Sequence, residues 1–162
     1  MAIKNWLIAM VPALWLVACE EDPDTKSQNT FTFNSKVYAA EAIRCDVRSS
    51  YYLIQASIGL PSESRYSFCD VKFFGSNSTL PVAGTYKVVA GATPPNTLPL
   101  SDEVVITIAV VETKNTGAEE GQSGTLTVTY VNNRPVLDFT AVVVKNSGNN
   151  LSSTASGHFG CQ

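Results

Sequence analysis

The chain has 162 residues, 44% of them apolar and 15% charged, with 14 acidic residues against 11 basic ones for a formal charge of −3. This length suits a single domain, and the composition excludes a collagenous, coiled-coil or mainly disordered chain. From Thr30 onward the body is nearly neutral, with 9 basic and 10 acidic residues, so it has no single-sign field to collect DNA or RNA.

The N-terminus opens on Lys4 and an apolar run from Trp6 to Ala18, which holds both tryptophans, Trp6 and Trp15. At about 1.5 Å rise per residue that run reaches roughly 20 Å, short of the ~30 Å hydrocarbon core, so a secretory signal fits better than a permanent transmembrane helix. It ends in Leu16-Val17-Ala18-Cys19, which resembles the bacterial lipobox. The resemblance implies that Cys19 becomes the lipid-modified first residue of the mature chain. Cleavage there removes Lys4 and leaves 10 basic against 14 acidic residues, no tryptophan and tyrosine-only fluorescence. Next comes Glu20-Glu21-Asp22-Pro23-Asp24-Thr25-Lys26-Ser27-Gln28-Asn29, polar throughout and unable to bury enough surface to fold. Its acids resemble the surface-export signal of Bacteroidota lipoproteins, and a solvated linker is the equal alternative. The expected organisation is a signal peptide over 1–18, a lipidated cysteine and acidic tether over 19–29, and a β-domain over 30–162.

From Thr30 the apolar period is two. Phe31 and Phe33 start the series, and similar stretches follow at 37–47, 51–58, 65–74, 85–89, 104–111 and, more weakly, 153–159. Leu126, Val128 and Tyr130 alternate with threonines, and after Asn132-Asn133 the apolar positions are Leu137, Phe139, Ala141 and Val143, which predicts an antiparallel hairpin. The segment 104–111 is apolar on both faces except at Thr107, which predicts a central strand. Turn formers fill 59–62, 75–78, 91–99, 115–124 and 146–150. Eight or nine strands at this spacing, with no segment of helical period, predict an all-β fold, a single antiparallel β-sandwich or meandering β-barrel.

With Cys19 lipidated, Cys45, Cys69 and Cys161 remain in an oxidising compartment, enough for one bridge and one thiol. A meander through residues 37–74 sets Cys45 opposite about Leu53 and Cys69 opposite about Ile54. The two cysteines then lie about 9.5 Å apart across a common neighbour, beyond the ~7 Å that a disulfide spans. Cys161 is therefore expected to pair with one of them, Cys45 ahead of Cys69.

Chemistry-bearing residues are sparse. His158 is the one histidine and has no second ligand at metal spacing, so it reads as an exposed strand residue. No Ser-His-Asp set, nucleophile elbow or phosphate loop stands out, and no cofactor or metal is expected. Asp46, Asp70 and Asp138 fall on the polar parity and read as outward acids with cross-strand partners rather than a glycosidase pair. Glu119-Glu120 reads as a solvated loop pair, and no ligand spacing supports calcium at Asp102 and Glu103. Of Tyr51 and Tyr52, adjacent on a strand, one is expected in the core, so they cannot form a coplanar sugar-stacking platform. Tyr66 and Phe68 share the parity of Phe74 and are read as the inner face of a sheet, with a partner-binding patch as the alternative.

The mature chain resembles small, uncharacterised outer-membrane lipoproteins of Bacteroidota with a calycin-like or sandwich-like β-domain. The resemblance rests on Phe31-Thr32-Phe33-Asn34-Ser35-Lys36, Pro81-Val82-Ala83-Gly84-Thr85-Tyr86, Ser123-Gly124-Thr125-Leu126-Thr127-Val128 and Ala155-Ser156-Gly157-His158-Phe159. Ser35 stands where such domains often carry glycine. The resemblance implies fold and address and carries no activity. The expected function is thus a non-catalytic lipoprotein domain, anchored to the outer membrane through Cys19 and serving as an accessory or structural subunit of an integral outer-membrane protein complex. A free cell-surface module for glycan or peptide is the first alternative, and a small envelope hydrolase the second.

Overall fold

The computed structural model describes residues 29–75, 79–91, 99–111, 118–146 and 148–162. The segment expected to be a signal peptide, Cys19 and the acidic residues after it lie outside these. Of the described residues, 65% are in strands and none is helical. They form one large mixed sheet of eleven strands, where eight or nine were expected.

The two-residue turn Asn34-Ser35 joins β1 (Thr30–Phe33) to β2 (Lys36–Ala39), with both φ angles positive at 50° and 64°. Such a turn matches the right-handed twist of its strands, and asparagine tolerates it better than serine. The single stretch expected over 37–47 is broken after Ala39, where Ala40 N–H donates to Asn29 O and Glu41 N–H to Ser57 O. The chain thus leaves β1 and resumes as β3 (Ala42–Val47) on a different neighbour.

Strand β3, β4 (Tyr51–Ile58) and β5 (Ser67–Phe74) form the expected meander. The registers differ from those inferred: Cys45 faces Ile54 and Cys69 faces Ala56. Ser49 and Ser50 form the tip of the first turn, which Arg48 N–H closes by donating to Tyr51 O, so the pivot lies between residues rather than on Ser49. The second loop holds an extra turn, with Glu63 N–H donating to Leu60 O and Tyr66 N–H to Glu63 O.

Strand β7 (Glu103–Ala109) is central as expected, with β5, β6 (Gly84–Val88) and β8 (Glu119–Ser123) as neighbours. Strand β8 replaces part of the loop expected over 115–124. The hairpin of β9 (Thr125–Val131) and β10 (Arg134–Asn146) turns at Asn132-Asn133, both in the left-handed region. A bulge between Phe139 and Val142, with Ala141 at φ 53°, shifts the parity of β10. Val142 and Val144 therefore face inward where Ala141 and Val143 were expected.

Strand β11 (Ser152–Gly160) lies between β10 and β1. Both β6 and β8 link β7 to the β9–β10 hairpin, so hydrogen-bonded pairs close a ring β7–β8–β10–β9–β6. The sheet folds over one core, in which Phe31 of β1, Ile54 of β4, Phe73 of β5, Leu126 of β9 and Phe159 of β11 belong to a single buried cluster. Side chains of this size contribute about 1.5–3 kcal/mol each when fully buried.

Candidate functional site

The outer face of the β9–β10–β11–β1 layer carries one straight cross-strand row: Thr127, Asp138, His158 and Thr30. Strand parity puts these residues outward because Leu126, Leu137, Phe159 and Phe31 beside them fill the core. Asp138 Oδ1 sits 2.5 Å from His158 Nδ1, with both side chains about half exposed. The carboxylate holds the imidazole by Nδ1, leaving Nε2 for solvent or a ligand.

His158 also lines a groove of about 740 Å³ with Arg134, Val136, Thr129, Asn29 and Gln162. Arg134 opens β10 and Thr129 lies near the end of β9, so the Asn132-Asn133 turn brings both to one end of the sheet. Asn29 is pinned there from two sides: its Oδ1 accepts Gly160 N–H at 3.1 Å and its main-chain oxygen accepts Ala40 N–H at 2.8 Å. The chain therefore enters the domain at the rim of the groove. A guanidinium, an oriented imidazole and the three amides of Asn29, Asn132 and Gln162 beside Val131 and Val136 suit polar recognition of a partner's main chain or side chains.

Cys45 is bonded to Cys161, with Cα atoms 6.0 Å apart, and Cys69 is a buried free thiol. Tyr52 hydroxyl lies 3.8 Å from Cys161 Sγ. Burial, with a smaller push from Asp70, holds the Cys69 thiol well above its usual range, which makes it a poor nucleophile.

The three strand aspartates point outward as expected. Asp46 pairs with Arg44 and Arg48, and Asp70 Oδ1 accepts Gln55 Nε2–H at 2.6 Å. Glu103 accepts Leu100 N–H at 3.0 Å and faces Lys87 at 3.7 Å. Among the described residues no group of three His, Cys, Asp or Glu is placed to hold a metal ion.

Two expectations are corrected here. Glu119 is buried on β8, with Oε2 unpartnered among the described residues. Its register partner Ile108 faces the core, so the pair Glu119-Glu120 splits between inner and outer faces. Burial raises the Glu119 carboxyl, against hydrogen bonds from Ser153 and Asn146 that lower it.

Tyr66 and Phe68 are on the outer face and not in the core. Ser67, Cys69, Val71 and Phe73 are buried between them and beyond them, and Tyr52 is the core member of the Tyr51-Tyr52 pair. Asp70 and Lys72 share the parity of Phe68, and their charges were the available signal for an outward face. Arg134 and Asn29 carry no sequence signal of their own, because only the hairpin and the β1–β11 register bring them beside His158.

Comparison with known protein families, curated proteins and solved structures returns no match. The reading of the groove therefore rests on its geometry.

Proposed function

We propose that this chain is an exported, non-catalytic lipoprotein domain, anchored to the outer membrane through Cys19, that serves as an accessory subunit of an integral outer-membrane assembly. In this reading the sheet forms a flattened, partly open barrel, closed on one side by β6 and β8 and tied by Cys45–Cys161 on another. The observation that carries the proposal is the pinning of Asn29 at the rim of the groove. Ten residues, Cys19 to Gln28, separate that point from the lipid, and at about 3.3–3.6 Å each they reach at most roughly 35 Å. The groove is thereby kept within a short distance of the bilayer, where the exposed parts of an integral partner lie. Two or more acyl chains, at about 0.8 kcal/mol per buried methylene, make such an anchor effectively permanent.

The test is affinity purification of the tagged, lipidated chain from native membranes in mild detergent. An integral outer-membrane protein should co-purify in stoichiometric amount, and Arg134→Ala with His158→Ala should weaken its retention while leaving the domain folded. Recovery of the chain alone, or a Cys19→Ala variant that stays lipid-labelled and membrane-bound, would remove the basis of the proposal.

A further inference from the structure

A second surface lies away from the groove, on the outer face of β3, β4, β5 and β7. Phe68 stands on β5 with Ser57 of β4 on one side and Ala109 of β7 on the other. Neither neighbour is tall enough to cover the ring, so it stays partly exposed. Tyr66 leans against it, with ring centroids 5.4 Å apart and planes 36° apart. The adjacent row runs Arg44, Gln55, Asp70 and Thr107 directly opposite one another across four strands, at about 4.8 Å per step.

This polar row is already oriented. Tyr66 hydroxyl donates to Gln55 Oε1 at 3.3 Å, and Gln55 Nε2 donates to Asp70 Oδ1 at 2.6 Å. Among the described residues the second Asp70 oxygen has no hydrogen-bond partner, which leaves it to accept a ligand hydroxyl, a charge-assisted bond of the stronger kind. Burial raises the Asp70 carboxyl, while Gln55 and Lys72 act to lower it.

From these observations we infer that Tyr66 and Phe68, with Gln55, Asp70 and Thr107 beside them, form a binding site for a neutral oligosaccharide. A pyranose presents an apolar C–H face and a rim of hydroxyls. The ring pair matches the first and the amide–carboxylate–hydroxyl row matches the second. Local charges balance, since Arg44 and Arg48 share Asp46, Lys72 lies beside Asp70, and Glu120 stands opposite Thr107 at the end of the row, so the face attracts no strongly charged ligand and suits a neutral one.

A second aromatic pair, Tyr51 and Phe74, sits on the same face with centroids 5.8 Å apart and Lys72 Nζ 5.7 Å from the Tyr51 ring centre. Phe74 is six residues from Phe68 along β5, about 20 Å away. That spacing favours a chain of sugar units over a monosaccharide. The site does not depend on the anchored reading, and the failure of either leaves the other standing.

The test is a two-dimensional 1H–15N NMR titration of the 15N-labelled full chain in detergent micelles with maltohexaose, cellohexaose, xylohexaose, mannohexaose and chitohexaose at millimolar concentrations. At least one should shift the amides of Gln55, Phe68 and Asp70 in a saturable way, with a Kd of about a millimolar or tighter. Phe68→Ala and, independently, Tyr66→Ala should each weaken that binding about tenfold or more with the rest of the spectrum retained, and His158→Ala should leave it unchanged. The inference is overturned if none of the five shifts this face, if the shifts map to the groove around Arg134, or if both ring variants bind as the parent does. Saturable shifts on this face with an envelope protein and none with the sugars would make it a protein interface and equally overturn it.

Discussion

The cross-link between Cys45 and Cys161 offers the most quantitative test of the fold. Cys45 lies on β3, one edge of the sheet, and Cys161 follows β11, which is separated from the other edge only by β1 and β2. The bridge closes a loop across 116 positions. For that length the chain-entropy relation gives about 5 kcal/mol at 25 °C, acting on the unfolded ensemble. Replacing both residues, Cys45→Ala with Cys161→Ala, removes the bridge and leaves Cys69 without a cysteine partner in the domain. Native pairing of β11 with β10 and β1 does not involve the sulfurs, so the folded topology should persist and the loss should appear as stability. In a domain of this size a loss of 4–5 kcal/mol corresponds to a fall in Tm on the order of 15 °C. Urea and thermal unfolding of the full chain, followed by far-ultraviolet circular dichroism, reads both quantities, and reduced parent protein should match the double variant. A loss below about 1 kcal/mol would refute loop closure as the source of stability.

Three further outcomes follow from particular contacts. Burial raises the Glu119 carboxyl in the folded state, so the folded protein binds the proton more tightly than the unfolded chain does. This contribution weakens the fold as pH rises from the ordinary glutamate range through the raised value. Glu119→Gln should therefore be more stable than the parent at neutral pH, with the gap closing in acid, as measured by urea melts across pH. A Cβ on Gly157 would lie 2.6 Å from Cε1 and Cζ of the Phe139 ring, so Gly157→Ala should cost about 1–3 kcal/mol, part of it recovered by adding Phe139→Leu. Ser35 holds φ 64° in the first hairpin, where a non-glycine residue is disfavoured, so Ser35→Gly should raise stability by about 0.5–1 kcal/mol in thermal melts despite its freer unfolded chain.

Strand identity was legible wherever side-chain alternation and turn chemistry agree locally. The threonines between Leu126 and Tyr130 and the Asn132-Asn133 turn define the β9–β10 hairpin without reference to anything distant, and the run 104–111, apolar on both faces except at Thr107, marks a strand with neighbours on both sides. A strand-spacing argument likewise excluded Cys45–Cys69, and the structure joins Cys45 to Cys161. Only the tertiary structure decided the rest. Strand β8, Glu119-Glu120-Gly121-Gln122-Ser123, has no apolar alternation and becomes a strand because β7 and β10 offer it hydrogen-bonding edges. The bulge at Ala141 reverses which residues of β10 face inward, a displacement no local pattern encodes. The groove at Asn29 arises from registers between strands far apart in sequence, and such registers are set by how the whole sheet closes over its core.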